Sequence, residues 1–149
     1  MILRWFVAAV HLLAFGGAVA ACWTRAERLR GLASSRDFRG VFAADNLYGV
    51  CALLSIATGL WRAFGTIEKG SGYYLSHPFF LVKMGLYTAV FLLELQPMAT
   101  LLRWRLLLRR GGEPDLSSAP RLAGVSRAEA WMMAAMALCA TAVARGIFV

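Results

Sequence analysis

Apolar residues fall into four long runs, at about residues 2–23, 45–63, 79–101 and 127–148. Each is long enough to cross a bilayer core as a helix rising ~1.5 Å per residue. The pattern predicts an all-α fold, a four-transmembrane-helix bundle of up-down topology in one integral membrane domain. The third run has no breaker after Leu101, so its helix should continue to about residue 110, with a kink at Pro97. Residues 24–44 read as a basic loop, in which Ser34 and Asp37 resemble a helix start and Phe38, Val41 and Phe42 suggest a short amphipathic lead-in. Residues 111–125, rich in Gly, Pro and Ser, read as a flexible linker, and Ser126 with Glu129 reads as a capping box opening the last helix.

Polar positions inside the runs are not scattered. Lys83, Tyr87, Val90 and Glu94 recur at steps of four, three and four, so they share one helical face. Asp45, Tyr48, Ala52, Ser55, Gly59 and Arg62 form a second stripe at alternating steps of three and four. A charged side chain at mid-membrane costs roughly 2.5–3.5 kcal/mol on insertion scales. Both stripes should therefore face into the bundle, not the lipid.

Basic residues set the orientation. Arg25, Arg28, Arg30, Arg36 and Arg39 follow the first run, and Arg103, Arg105, Arg109, Arg110, Arg121 and Arg127 lie around the third connection. The Gly-rich connection at 62–78 holds only Arg62 and Lys69 as cations, with Trp61, Tyr73 and Tyr74 as interfacial aromatics. The positive-inside rule puts the two basic connections in the cytoplasm and both termini on the periplasmic side of a bacterial inner membrane. Val19-Ala20-Ala21-Cys22 looks like a lipoprotein cleavage box, but the basic stretch after it resists export, so the first run reads as a retained span.

Composition agrees with a multi-pass membrane protein: 60% of the 149 residues are hydrophobic and 16% charged, against ~25% charged in soluble domains. The net charge of +8 raises a nucleic-acid reading. Clustering of arginines at the ends of apolar runs excludes it and points to anionic lipid headgroups as the partner of the basic loops. Cys22, Cys51 and Cys139 are dispersed and show no metal or disulfide spacing.

The orientation gives each polar residue a depth. Arg4, Arg62, Lys83 and Arg145 lie in the outer half, with Glu68 nearby, and Asp45, Glu94 and Glu129 in the inner half. Like charges thus sit at like depths, which demands compensation. One candidate is an anionic amphiphile, a haem b, a porphyrin or a lipid headgroup. Arg62, Lys83 and Arg145 would hold it, Tyr87 would line its site, and His11 would contact the ligand or bind haem iron. Met133 or Met136 would be the second axial ligand, since His77 is too shallow. A second candidate is a proton or ion path through Asp45 and Glu94, with Lys83 as a gating or substrate charge. A third is a non-catalytic subunit or assembly factor recognised through its loops. A homo-oligomer is also expected. No nucleophile–base pair, phosphate loop or carboxylate pair assigns a reaction.

His11, Phe42-Ala43-Ala44-Asp45-Asn46, Gly59-Leu60-Trp61-Arg62, Glu68-Lys69-Gly70 with Tyr73-Tyr74, Phe80 to Lys83 and Pro97 to Trp104 carry a resemblance. The chain resembles the bacterial family of small predicted membrane proteins known as domain of unknown function 2214. The likeness spans most of the chain apart from residues 111–125 and implies a multi-pass protein without assigning an activity. More distantly it is similar to the HemJ-type protoporphyrinogen oxidases, four-helix membrane proteins with a helix-one histidine and a helix-three lysine. That likeness implies tetrapyrrole binding near His11, with Lys83 as the matching lysine.

Overall fold

The computed structural model describes residues 1–65 and 78–147. Four helices account for almost all of them: α1 (Ile2–Ser35), α2 (Phe38–Phe64), α3 (Pro78–Arg109) and α4 (Ala119–Ala144). By length and composition, α1, α2 and α3 can each cross a membrane. Glu68, Lys69, Tyr73, Tyr74 and His77, named above, lie outside the described residues.

Two connections read as loop hold helix: residues 24–44 almost throughout, and 111–125 from Ala119 onward. Nothing between Thr24 and Ser35 breaks a helix, and Ala26, Glu27, Arg28, Leu29 and Arg30 favour one. So α1 runs past its apolar part and stops at Arg36, which adopts a left-handed conformation (φ 52°) and bonds back to Leu32 O. Asp37 follows as the cap of α2, its carboxylate accepting from Gly40 N at 2.9 Å and from Arg28 at 2.6 Å. The basic loop expected at 24–44 is thus a two-residue reversal. Asp37 begins the new helix, while the Ser34 hydroxyl donates back to Gly31 O.

The linker expected at 111–125 is shorter and packed. α4 opens at Ala119, after Ser118 and with Pro120 in its first turn, where a missing N–H costs nothing. Asp115 orders the approach by accepting from the backbone N–H and hydroxyl of Ser117, which hold its exposed carboxyl below the usual range. Ser126 and Glu129 are therefore not a capping box. Both are fully buried in the middle of α4. Helix α3 runs unbroken through Pro97, which is itself buried, to Arg109.

α1 packs along α2 and α4, and α4 along α3, whereas α2 and α3 make little close backbone approach. The short turns joining α1 to α2 and α3 to α4 fall at one end, the hairpin end. Two apolar cores are stacked along the axis. One, towards the termini, contains Ala18, Ala21, Tyr48, Val90, Met133 and Met136. The other, at the hairpin end, contains Leu29, Leu32, Val41, Leu101, Trp104 and Leu122, flanked by Phe38 and Phe42. Outward-facing residues such as Leu53, Leu92 and Leu138 stay exposed, as a lipid-facing surface requires. Both polar stripes face inward: Tyr48 and Val90 are buried, and Asp45, Arg62, Lys83, Tyr87 and Glu94 are half-buried.

Leu122 lies in what reads from sequence as a flexible linker, so it separates the two descriptions. Leu122→Ala should destabilise the folded protein by about 2–5 kcal/mol through loss of contacts and a residual cavity. Leu138→Ala, on the outward face, should change it by no more than about 0.5 kcal/mol. Thermal unfolding in detergent compares the two.

Candidate functional site: a buried arginine shared by three carboxylates

Between the two apolar cores lies a layer of charge. Its centre is Arg25, fully buried in α1. It continues the inward stripe of Ala14, Ala18 and Cys22 above and Leu29 and Leu32 below, at helical steps of three and four. A guanidinium has five N–H donors in a planar fork. Here Nε donates to Ser126 Oγ at 3.0 Å, and Nη1 to Asp45 at 2.9 Å and Glu94 at 2.7 Å. Nη2 donates to the other oxygen of Glu94 at 2.6 Å and to Glu129 at 2.9 Å. Glu94 is thus bound bidentately, the strongest geometry open to an arginine, and Arg25 touches every other helix: α2 through Asp45, α3 through Glu94, and α4 through Ser126 and Glu129.

The shell around this fork is also polar. The face of Tyr48 lies 4.9 Å from the Arg25 guanidinium carbon, in cation–π range. The Cys22 thiol donates to Ser126 O at 3.1 Å and lies 3.5 Å from Glu129 Oε2. Asp45 uses its second oxygen for another arginine: Arg105 Nη2 bonds Asp45 Oδ2 at 2.7 Å and Phe42 O at 3.3 Å, while Arg105 Nη1 bonds Asn46 at 2.8 Å. The Arg105 guanidinium also covers the Phe42 ring at 4.7 Å. These contacts tie α3 directly to α2.

Glu129 is the outlier. Its side chain is fully buried, it stands beside the Glu94 carboxyl, and among the described residues no donor reaches its Oε1. Nearly all buried polar atoms in folded proteins have a partner, so an orphan oxygen on a carboxyl group is informative.

Of the acids assigned by sequence to one depth, Asp45, Glu94 and Glu129 all bond Arg25. Their compensation comes from Arg25 and Arg105, which sequence pattern had assigned to cytoplasmic connections. The missed signal was phase: Arg25 falls on the inward stripe of α1, whereas Arg28 and Arg36 are exposed.

The outer-half candidates are placed as follows. His11 Nδ1 is 2.9 Å from the Thr58 hydroxyl on α2, and a Cβ on Gly59 would meet the His11 ring at 3.1 Å, so glycine there makes room for the imidazole. Arg62, Lys83 and Tyr87 are half-buried on the inward stripes, and Arg145 is exposed at the end of α4. A haem held at His11 fits this donor set poorly. Met133 and Met136 are buried beside Ala18, Ala21 and Cys22, roughly 10–16 Å further along α1. Among the described residues, no group of three or more His, Cys, Asp or Glu side chains is arranged to hold a metal ion.

Removing one partner of a buried ion pair leaves the others uncompensated, at a cost of about 3–5 kcal/mol. Arg25→Met should therefore lower stability by that order or prevent accumulation, while Arg25→Lys, with three donors in place of five, should fall between it and the wild type. Arg28→Ala, which breaks the exposed pair with Asp37, should cost under about 1 kcal/mol. Unfolding curves of the three variants provide the comparison.

No curated protein and no solved structure matches the chain. A family model does, over residues 3–148. With helices apolar enough to span a membrane and a match over nearly its whole length, the chain belongs to the family described as Predicted membrane protein (DUF2214).

Proposed function

We propose that this protein carries protons across the bacterial cytoplasmic membrane, and that the Arg25 cluster is its proton site. In this reading all four helices cross the bilayer. The arginine-rich hairpin end faces the cytoplasm, where it meets anionic lipid headgroups, and both termini lie outside.

Glu129 is the observation that carries the reading. Asp45, Glu94 and Glu129 bring three negative charges against the two positive charges of Arg25 and Arg105. A site between two apolar cores holds an uncompensated charge only at high cost. One proton on the Glu94–Glu129 pair brings the cluster to neutrality and gives the orphan oxygen a role. That proton belongs to the pair, since both carboxyls share Arg25 Nη2. When it leaves, Arg25 cannot absorb the new charge, because all five of its donors are already engaged. The change in charge is felt by every helix that Arg25 ties together, which is the coupling a carrier needs. Lys83, half-buried on the same stripe of α3 as Glu94, is the charge that gates passage.

Proteoliposomes with an internal pH dye and an imposed potassium diffusion potential test the activity. Wild-type protein should acidify or alkalinise the lumen according to the sign of the potential. Glu129→Gln and Glu94→Gln, which keep shape and remove the titrating group, should reduce the rate to that of empty liposomes. Wild-type flux no greater than that of empty liposomes, or variants as fast as wild type, would overturn the reading. Topology is tested separately: a reporter enzyme that matures only in the periplasm should be active when fused after Val149. Activity only of a cytoplasmic reporter would remove the fourth span.

A further inference from the structure

We infer that the seam between α2 and α3, closed by the Arg105 side chain, is the entrance through which the buried cluster communicates with the hairpin side. The inference rests on the reading of the cluster as a functional site and adds where it opens and what holds it shut.

The routes along the bundle axis are filled. Towards the termini lie Tyr48, Val90, Met133 and Met136, and towards the hairpins lie Leu29, Leu101, Trp104 and Leu122, all buried. The sides are unequal. α1 lies against both α2 and α4, and α4 against α3, while α2 and α3 make little close backbone approach. Exposure of the cluster follows this asymmetry. The side chains of Arg25 on α1 and Glu129 on α4 are 0% exposed, whereas Asp45 on α2 and Glu94 on α3 are 18% and 15% exposed. The more exposed edge of the cluster is therefore its α2–α3 edge.

Arg105 occupies that edge. It projects from α3 and takes three acceptors on α2: Asp45 Oδ2, Asn46 Oδ1 and Phe42 O. At 27% side-chain exposure it is itself the outer layer. A part-exposed ion pair is weaker than a buried one, so this closure can open while the Arg25 fork stays intact. The groups facing Asp45 and Glu94 across the site are Cys22 and Arg25 from α1, Tyr48 from α2, Arg105 from α3 and Glu129 from α4. Only Arg105 among the cations can swing away without leaving the core. The latch and the Arg25 fork share Asp45, one oxygen each, so opening of the seam is felt at the cluster.

Cys22 is a built-in reporter, because its thiol is fully buried within the cluster. The full-length chain in nanodiscs, with Cys51→Ala and Cys139→Ala, is treated with a small water-soluble methanethiosulfonate. Arg105→Ala should raise the rate of Cys22 modification about tenfold or more, as expected for a local opening made easier. Arg105→Lys, a point charge without the planar fork that spans the three acceptors, should give a smaller rise, and Arg109→Ala, exposed one turn further along the same helix, none. A chain that keeps Cys51 alone reports on general loosening. An unchanged Cys22 rate in both Arg105 variants, or an equal rise at Cys51, would overturn the seam. If Arg105→Ala exposes Cys22 while wild-type liposomes carry no proton flux, the seam stands and the transport reading falls. The reverse pairing removes the seam alone.

Discussion

An arginine with no exposed surface has to be answered by its surroundings, and the arrangement of the four helices here is that answer. Taking a guanidinium and a carboxylate out of water costs several kcal/mol per ion, and only near-ideal geometry with every donor satisfied offsets it. Arg25 meets that condition by using all five N–H groups, and its acceptors come from three different helices. The register of α2, α3 and α4 is therefore tied to one side chain on α1. Sliding any helix by one turn, ~5.4 Å, would remove an acceptor and leave a buried charge alone. Apolar packing among alanine, leucine and methionine is far more tolerant of such slips, so the polar layer selects among packings that the two cores alone would accept.

That layer also explains the shape of the cores. Small residues above it, Ala14, Ala18 and Ala21 on α1 and Ala130 on α4, bring α1 and α4 close enough for the Cys22 thiol to reach Ser126 O. Below it, larger side chains such as Leu29, Leu32, Leu101 and Trp104 fill the space between helices that extend beyond their apolar spans. The hairpin end is thus a packed continuation of the bundle. Surface pairs such as Arg28 with Asp37 contribute little to this, even though they shape the reversal between α1 and α2.

The helices were legible from period and length, because a 3.6-residue pattern survives whatever the helix packs against. Inward faces were legible too: the stripes through Tyr48 and Val90 do point to the core. The hinges were not. Residues 24–35 and 119–126 are polar or small enough to resemble loops, and only the burial of Leu29, Leu32 and Leu122 by other helices makes them part of the bundle. Ser126 and Glu129 show the same ambiguity at the scale of one motif. A spacing of three places the pair at a helix start or on one helical face, and a partner distant in sequence decides between them. Arg25 was hidden by its neighbours, since a cluster of arginines after an apolar run is the usual topology signal.

Depth, however, is what makes the excess of acid meaningful. Three carboxylates around one arginine on a wet surface would each be hydrated and largely indifferent to one another. Placed between two apolar layers they share one set of donors, so the ionisation of any one is paid for by the others. Asp45 escapes part of that competition by turning an oxygen to Arg105, and Glu94 by taking both arms of the Arg25 fork. Glu129 has neither remedy: it holds one arm of the fork and, among the described residues, nothing on its other oxygen. The least compensated acid is also the least exposed, and it sits on α4, away from the α2–α3 edge that Arg105 occupies. In the proposed reading, a proton bound there is kept by geometry that must change before it can be released, so the site passes protons only as that geometry changes.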